Sequence, residues 1–333
     1  ANGSLSSVAA AMATMAAGVV KRVLLASPRG YCAGVERAVE TVERALLLYG
    51  PPVYVRRQIV HNAHVVRELE ARGAVFVADE TDVPEGATLV LSAHGVAPSV
   101  HERAAARRLN TIDATCPLVT KVHAQTRRYA ADGYAIVLIG HAGHEEVVGT
   151  MGEAPEAVSL VQSVEEAEAL ELPEGKEVAY VTQTTLSVDE TAEIVSTLRR
   201  RFPRVRAPQR DDICYATSNR QWAVKQMLPE VDLLLVIGSA NSSNSNRLVE
   251  VARAGGVESH LIEDETVIDE AWLDEPETVG VTSGASAPES LVTRVCDWFR
   301  RRGIDDIRPF ASAYEDVVFK LPVELRRAET PAG

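Results

Sequence analysis

Three of the four cysteines in this chain share one local setting. Cys32 follows the apolar run Val23-Leu24-Leu25-Ala26 within Pro28-Arg29-Gly30-Tyr31-Cys32-Ala33-Gly34, and a helical pattern of apolar residues begins after it. Cys116 stands in Asp113-Ala114-Thr115-Cys116-Pro117, with proline favoured in the first helical turn, and Cys214 in Asp211-Asp212-Ile213-Cys214-Tyr215-Ala216-Thr217 ahead of another helical stretch. At a helix N-terminus, unpaired amides and the positive dipole end favour a thiolate. Three thiolates gathered at one point would bind a metal centre with one position left open. A single cysteine in such a place is as readily a small buried residue, so the repetition carries the argument. The separations of 84 (32 to 116) and 98 (116 to 214) residues are too wide for zinc-finger or short ferredoxin signatures. Cys296 falls mid-helix on an apolar stripe and reads as core packing.

Polar candidates cluster after apolar runs. His94, His141 and His144 each follow a predicted strand in a glycine-bearing loop, and His61 lies in Ile59-Val60-His61-Asn62. His94 and His144 are read as functional, and His141 as a loop-shaping alternative; His64, His101, His123 and His260 receive no role. Zinc-protease chemistry is disfavoured, because His144-Glu145-Glu146 lacks the second histidine of His-Glu-x-x-His. Glu146 is either a proton donor, its pKa raised beside a closed anionic site, or a solvated helix-start glutamate. Thr184 and Thr185 offer hydroxyls to relay that proton or orient a substrate oxygen. Ser242, Ser243, Asn244 and Ser286 precede predicted helices and suit an anion cradle, although N-capping would account for one of them. Neither a Walker A sequence nor Gly-x-Gly-x-x-Gly occurs, so nucleotide binding is unsupported.

These residues need elements to position them. Short β-branched or leucine-rich runs at 23–26, 53–55, 75–77, 88–92, 135–139, 158–161, 178–182, 232–237, 259–262 and 278–282 alternate with amphipathic helical stretches, the pattern of α/β lobes with mainly parallel sheets. Ligands bind outside the carboxyl ends of such strands, where the polar loops fall. If each cysteine opens a lobe, the chain divides into a first lobe at 33–115, a second at 116–213, a third from 21–32 plus 214–290, and a C-terminal helix and closing tail at 291–333. Residues 317–322 are expected as a last edge strand with a fraying charged end, and residues 1–20 as a leader. At 333 residues, 46% hydrophobic and 24% charged, the composition is that of a globular protein. A net charge of −13 argues against a nucleic-acid surface, and no run is long enough to span a membrane. Dispersed cysteines point to a reducing cytoplasm.

Taken in order from about Lys21 to Leu325, these blocks, with Thr182-Gln183-Thr184-Thr185-Leu186-Ser187 and Asn241-Ser242-Ser243-Asn244-Ser245-Asn246, closely resemble the 4-hydroxy-3-methylbut-2-enyl diphosphate reductase (LytB) family. The resemblance implies a three-lobed α/β cloverleaf around one 4Fe-4S cluster held by Cys32, Cys116 and Cys214, with its open iron taking the substrate hydroxyl. It further implies that the substrate is bound by His61, His94, His144, Thr184, Ser242, Ser243, Asn244 and Ser286, all but Thr184 around its diphosphate, and that Glu146, Thr184 and His144 serve catalysis. The implied reaction is reductive dehydroxylation to isopentenyl and dimethylallyl diphosphate, the last step of the methylerythritol phosphate route. No nicotinamide or flavin motif is visible, so a ferredoxin or flavodoxin is the expected electron donor. An iron–sulfur sensor would need the cysteines without the polar pocket; a metal-free sugar-phosphate enzyme would need one nucleophilic cysteine.

Overall fold

Apolar five-residue runs such as Ala135–Ile139 and Leu233–Ile237 are buried along their whole length, which demands a covering layer on both faces of the sheet. The computed structural model describes residues 20–328; apart from residue 20, the expected leader lies outside them. β1 (Arg22–Ser27) leads into α1 (Ala33–Tyr49) and then a four-stranded sheet. That sheet holds β2 (Val53–Arg56), β3 (Ala74–Val77), β4 (Thr88–Leu91) and β5 (Asn110–Asp113) in the order β3-β2-β4-β5, with α2 (Ala63–Ala71) and α3 (Pro98–Ala106) between strands. α4 (Pro117–Ala131) crosses to a three-stranded sheet, β7-β6-β8, made by β6 (Ala135–Ile139), β7 (Val158–Val161) and β8 (Val178–Thr182) with α5 (Glu145–Gly152) and α6 (Val164–Ala169).

After α7 (Val188–Arg201) and α8 (Tyr215–Met227), the chain builds a five-stranded sheet from β9 (Leu233–Ile237), α9 (Ser243–Ala254), β10 (Glu258–Ile262), β11 (Thr278–Ser283), α10 (Glu289–Arg300) and β12 (Ile307–Ala311). Its order is β10-β9-β11-β1-β12, so the first strand sits between the last two, and α11 (Val323–Ala328) follows. Every strand pairing within these sheets is parallel. Alternate residues feed separate cores on the two faces: Leu233, Leu235 and Ile237 join one cluster, and Leu234 and Val236 another. Val137 and Ile139 part from Ile136 and Leu138 in the same way. Cys296 is buried in the first of these clusters, as its stripe indicates.

Two expectations need correcting. The last edge strand is β12, paired with β1 from Val23↔Ile307 to Ser27↔Ala311, and not residues 317–322; Pro309 is tolerated there because the edge leaves its missing N–H unneeded. Residues 317–322 have no regular structure, and the charged segment after them forms α11, whose Leu325 is fully buried in the core beside α1. β5 was not anticipated. Because all crossovers join parallel strands, the loops after β1, β2, β4, β5, β6, β8, β9 and β11 deliver their residues from carboxyl ends, where ligand sites of open sheets form.

Candidate active site

Each of the three cysteines is the N-cap of a helix: Cys32 of α1, Cys116 of α4 and Cys214 of α8. A common backbone device fixes them. The Cys32 N–H donates to the Ala285 carbonyl (3.2 Å), Cys116 N–H to Ala93 (2.9 Å) and Cys214 N–H to Thr184 (3.0 Å), in every case a residue just past a neighbouring strand. The Cys214 sulfur also accepts from Thr217 N–H at 3.4 Å and lies 3.2 Å from Thr217 Oγ1. Gly34 leaves the space between two of the sulfurs open: a Cβ there would lie 2.7 Å from Cys116 Sγ and 3.8 Å from Cys32 Sγ.

Burial, reinforced by Cys32, pushes the Cys116 thiol up to about 12 and the Cys214 thiol up to about 11. Thiols so placed ionise only if a positive body joins them. Among the described residues no three His, Cys, Asp or Glu side chains are placed to hold a single metal ion. All three cysteines nevertheless line one cavity, a donor set suited to a polynuclear body larger than an ion.

Glu146, in the first turn of α5, is 2% exposed, which removes the solvated alternative. Thr184 N–H donates to its Oε1 at 2.6 Å, and Thr184 Oγ1 to its Oε2 at 3.0 Å. Burial raises the carboxyl to about 7 against the opposing pull of the Thr184 bonds and of His94 and His123. The residue can therefore carry a proton at neutral pH.

His61, His94 and His144 form a cluster of imidazoles. The rings of His61 and His94 stack at 4.0 Å, and His144 meets them edge-on at 5.4 and 5.9 Å. His144 caps α5, its Nδ1 accepting from Glu146 N–H at 3.2 Å, an assignment that leaves the proton on Nε2. Burial and then His94 depress His144 to about 4, and burial, His94 and His144 hold His61 far below the usual imidazole range. His61 Nε2 is buried with no protein partner. His61 and His144, held neutral in this way, can gain a proton or donate once an anion arrives.

The anion cradle is more tightly engaged than its composition suggests. Ser242 caps α9 through Ser245 N–H, and its Oγ lies 3.4 Å from Ser286 Oγ, which donates to the His61 carbonyl. Ser243 Oγ donates to the Thr185 carbonyl at 3.1 Å. Asn244 accepts from Ala285 N–H at 2.8 Å and donates to Thr217 Oγ1 at 3.3 Å, linking the loop that holds Cys32 to the residue that holds Cys214.

One cavity brings these groups together. Its lining includes Cys32, Cys116, Cys214, Glu146, Thr184, His61, His94, His144, Ser242, Ser243, Asn244 and Ser286. Thr185 also lines it; His141 does not, and its backbone N–H is bound by Gln183. Sequence reasoning missed Thr217, Gly34 and Phe319 in the lining. The hydroxyl three residues after Cys214 was a usable signal for the first of them; nothing in the tail's sequence pointed to Phe319.

Similarity to known proteins agrees with this geometry. A sequence model of the LytB protein family matches residues 23–300. The chain is 63% identical over 308 residues to the 4-hydroxy-3-methylbut-2-enyl diphosphate reductase of Acidothermus cellulolyticus, covering 92% of this chain and 91% of that protein. It is 58% identical to the enzyme of that name from Nocardia farcinica, covering 95% of each. Among solved structures, the E-1-hydroxy-2-methyl-but-2-enyl-4-diphosphate reductase of Plasmodium falciparum superposes with a TM-score of 0.90 at 40% identity, over 92% of this chain and 98% of that one. A match running from the first strand through α10, with relatives aligned over nearly their full length, means that this chain belongs to the LytB protein family.

Proposed function

We propose that this protein reduces (E)-4-hydroxy-3-methylbut-2-enyl diphosphate to isopentenyl and dimethylallyl diphosphate, with loss of the hydroxyl as water, as the last step of the methylerythritol phosphate route. The observation that carries this reading is the joint lining of one cavity by the cysteine trio, the Glu146–Thr184 pair and the His, Ser and Asn set. Cys32, Cys116 and Cys214 would hold a 4Fe-4S cluster, one thiolate from each of three helix starts. When bound, that cluster supplies Lewis acidity toward the hydroxyl and passes on the two electrons the reaction consumes.

The chain's own residues do the rest. His61, His94 and His144, with Ser242, Ser243 and Ser286, hold the diphosphate and spread its charge over several donors. That anchoring fixes which carbon faces the cysteines, converting much of the barrier into binding. Glu146 holds a proton that Thr184 Oγ1, 3.0 Å from Oε2, can pass toward the departing hydroxyl. Apolar Val35, Val60, Leu118 and Phe319 in the same lining exclude water from the allylic chain. Reductant comes from a separate ferredoxin or flavodoxin, and the reaction belongs to the cytoplasm, where thiols stay reduced.

The test is anaerobic purification followed by iron and sulfide assay and turnover with the named substrate. Stoichiometric iron and sulfide, with turnover driven by reduced ferredoxin or flavodoxin but not by NADPH alone, is the expected result. A colourless protein with full turnover would overturn the reading.

A further inference from the structure

Every helix opened by one of the three cysteines carries a cation five or six residues further on: Arg37 after Cys32, Lys121 after Cys116, Arg220 after Cys214. None of the three lines the cavity. Each reaches instead to the segment that delivers a different cysteine. Arg37 Nη1 donates to the carbonyls of Ala114 (2.9 Å) and Thr115 (3.0 Å), immediately before Cys116. Lys121 Nζ donates to the carbonyls of Arg210 and Asp211 (2.8 Å each) and lies 3.1 Å from Asp212 Oδ1, just before Cys214. Arg220 Nη2 donates to the Gly30 carbonyl (2.8 Å), two residues before Cys32. The contacts therefore run from the first cysteine's helix to the second, from the second to the third, and from the third back to the first.

Cys32, Cys116 and the Thr184 loop against Cys214 belong to three separate sheets, so no shared ladder sets the distances between the sulfurs. Long basic side chains can span that gap and satisfy carbonyls left over at strand ends. Burial draws the Arg37 guanidinium below its usual range, offset in part by Asp113 and then by Cys116. We infer that Arg37, Lys121 and Arg220 form a closed ring of positioning residues that fixes the three thiolates for a cluster, an inference that rests on the reading of the cysteines given above.

The ring is tested on the full chain, prepared anaerobically, with R37M and K121M beside their charge-keeping counterparts R37K and K121R. Arg220 is avoided because it is fully buried against Glu315, so its loss would strand that carboxylate; K121M is made together with D212N throughout, because Asp212 is buried beside Lys121 and would be stranded in the same way. Four quantities are read: iron and sulfide content, the rate at which a chelator strips iron, the cluster's reduction potential, and the melting temperature of cluster-free protein. R37M and K121M are expected to release iron about tenfold faster than wild type, in line with other residues that orient metal ligands, and R37M to become harder to reduce as a nearby positive charge is lost. K121R should restore retention, R37K should restore the potential more than the retention because its ammonium cannot fork, and cluster-free melting should fall by less than iron retention does. Release at the wild-type rate would overturn the ring, as would faster release matched by an equal loss of cluster-free stability. Wild-type protein without iron and sulfide would instead defeat the cysteine reading itself, and that is seen before any variant is made.

Discussion

A carboxyl group that titrates near pH 7 is an acid on one side of neutrality and a buried anion on the other. For Glu146, with its folded pKa of about 7 above the ordinary 4.5, the folded state holds the extra proton between those two values. Proton delivery is therefore available below about pH 7 and is lost as pH rises through it. Replacing it in E146Q keeps the shape beside Thr184 and removes the proton, so kcat should fall by about 10²–10⁴ with KM little changed; an unchanged kcat would remove Glu146 from the chemistry. The His61, His94 and His144 cluster makes a second prediction at this scale. His61 and His144 are held neutral when the cavity has no anion, so a diphosphate should draw protons from solution on binding near neutral pH. Calorimetry of inorganic pyrophosphate in buffers of different ionisation heat should show uptake, smaller in H61N; a buffer-independent heat would sink the idea. Residue identity was the most legible layer of the sequence, since the cysteines, Glu146, Thr184 and the three histidines all meet in the one cavity. The sequence left open which alternative held at Glu146, because exposure depends on the packing of β8 against α5 and not on local pattern.

At the level of elements, the starts of α1, α4 and α8 matter more than their lengths. Gly34 sits where a side chain would press on a neighbouring helix's sulfur, its Cβ position 2.7 Å from Cys116 Sγ. The G34A variant should thus retain its fold, judged by circular dichroism, while holding less iron; full iron content would show that the gap is not needed. The strands were read well where apolar runs are long, as in β6 and β9, because only a sheet covered on both faces buries such runs. β5 escaped notice because Asn110-Thr111-Ile112-Asp113 is short and polar, and its place is dictated by the register of Leu89↔Thr111 with β4. Val317, Val318 and Phe319 look like a strand for the opposite reason: apolar content does not tell which neighbour will take it. The ring of cations gives no sign in local pattern, since each member acts on a segment some 77 to 190 residues away.

For the molecule as a whole, the tail is tied down beside the cavity, to which it contributes Phe319. Arg37 Nε holds the Lys320 carbonyl at 2.8 Å, Arg220 holds Glu315 at 3.1 Å, and Leu325 anchors α11 in the core beneath α1. L325A should cost about 2–5 kcal/mol in urea unfolding and raise KM more than it lowers kcat, because Phe319 is then less firmly seated over the substrate. An equal loss in both constants would argue against a closing role. The arrangement of sheets around one centre was not deducible from periodicity, which specifies strands but not how three sheets face each other; the family resemblance supplied it.

The position of β1 between β11 and β12 has a bearing on how the protein is born. This strand, the first among the described residues, has no partner until roughly 250 further residues are made, on the order of tens of seconds at ordinary translation speeds. Cys32 rides just behind that waiting strand, while the sheets carrying β2–β5 and β6–β8 can already be complete. On the proposed reading the earliest thiol would be the last of the three to be put in place, once β11 and Ala285 have been made.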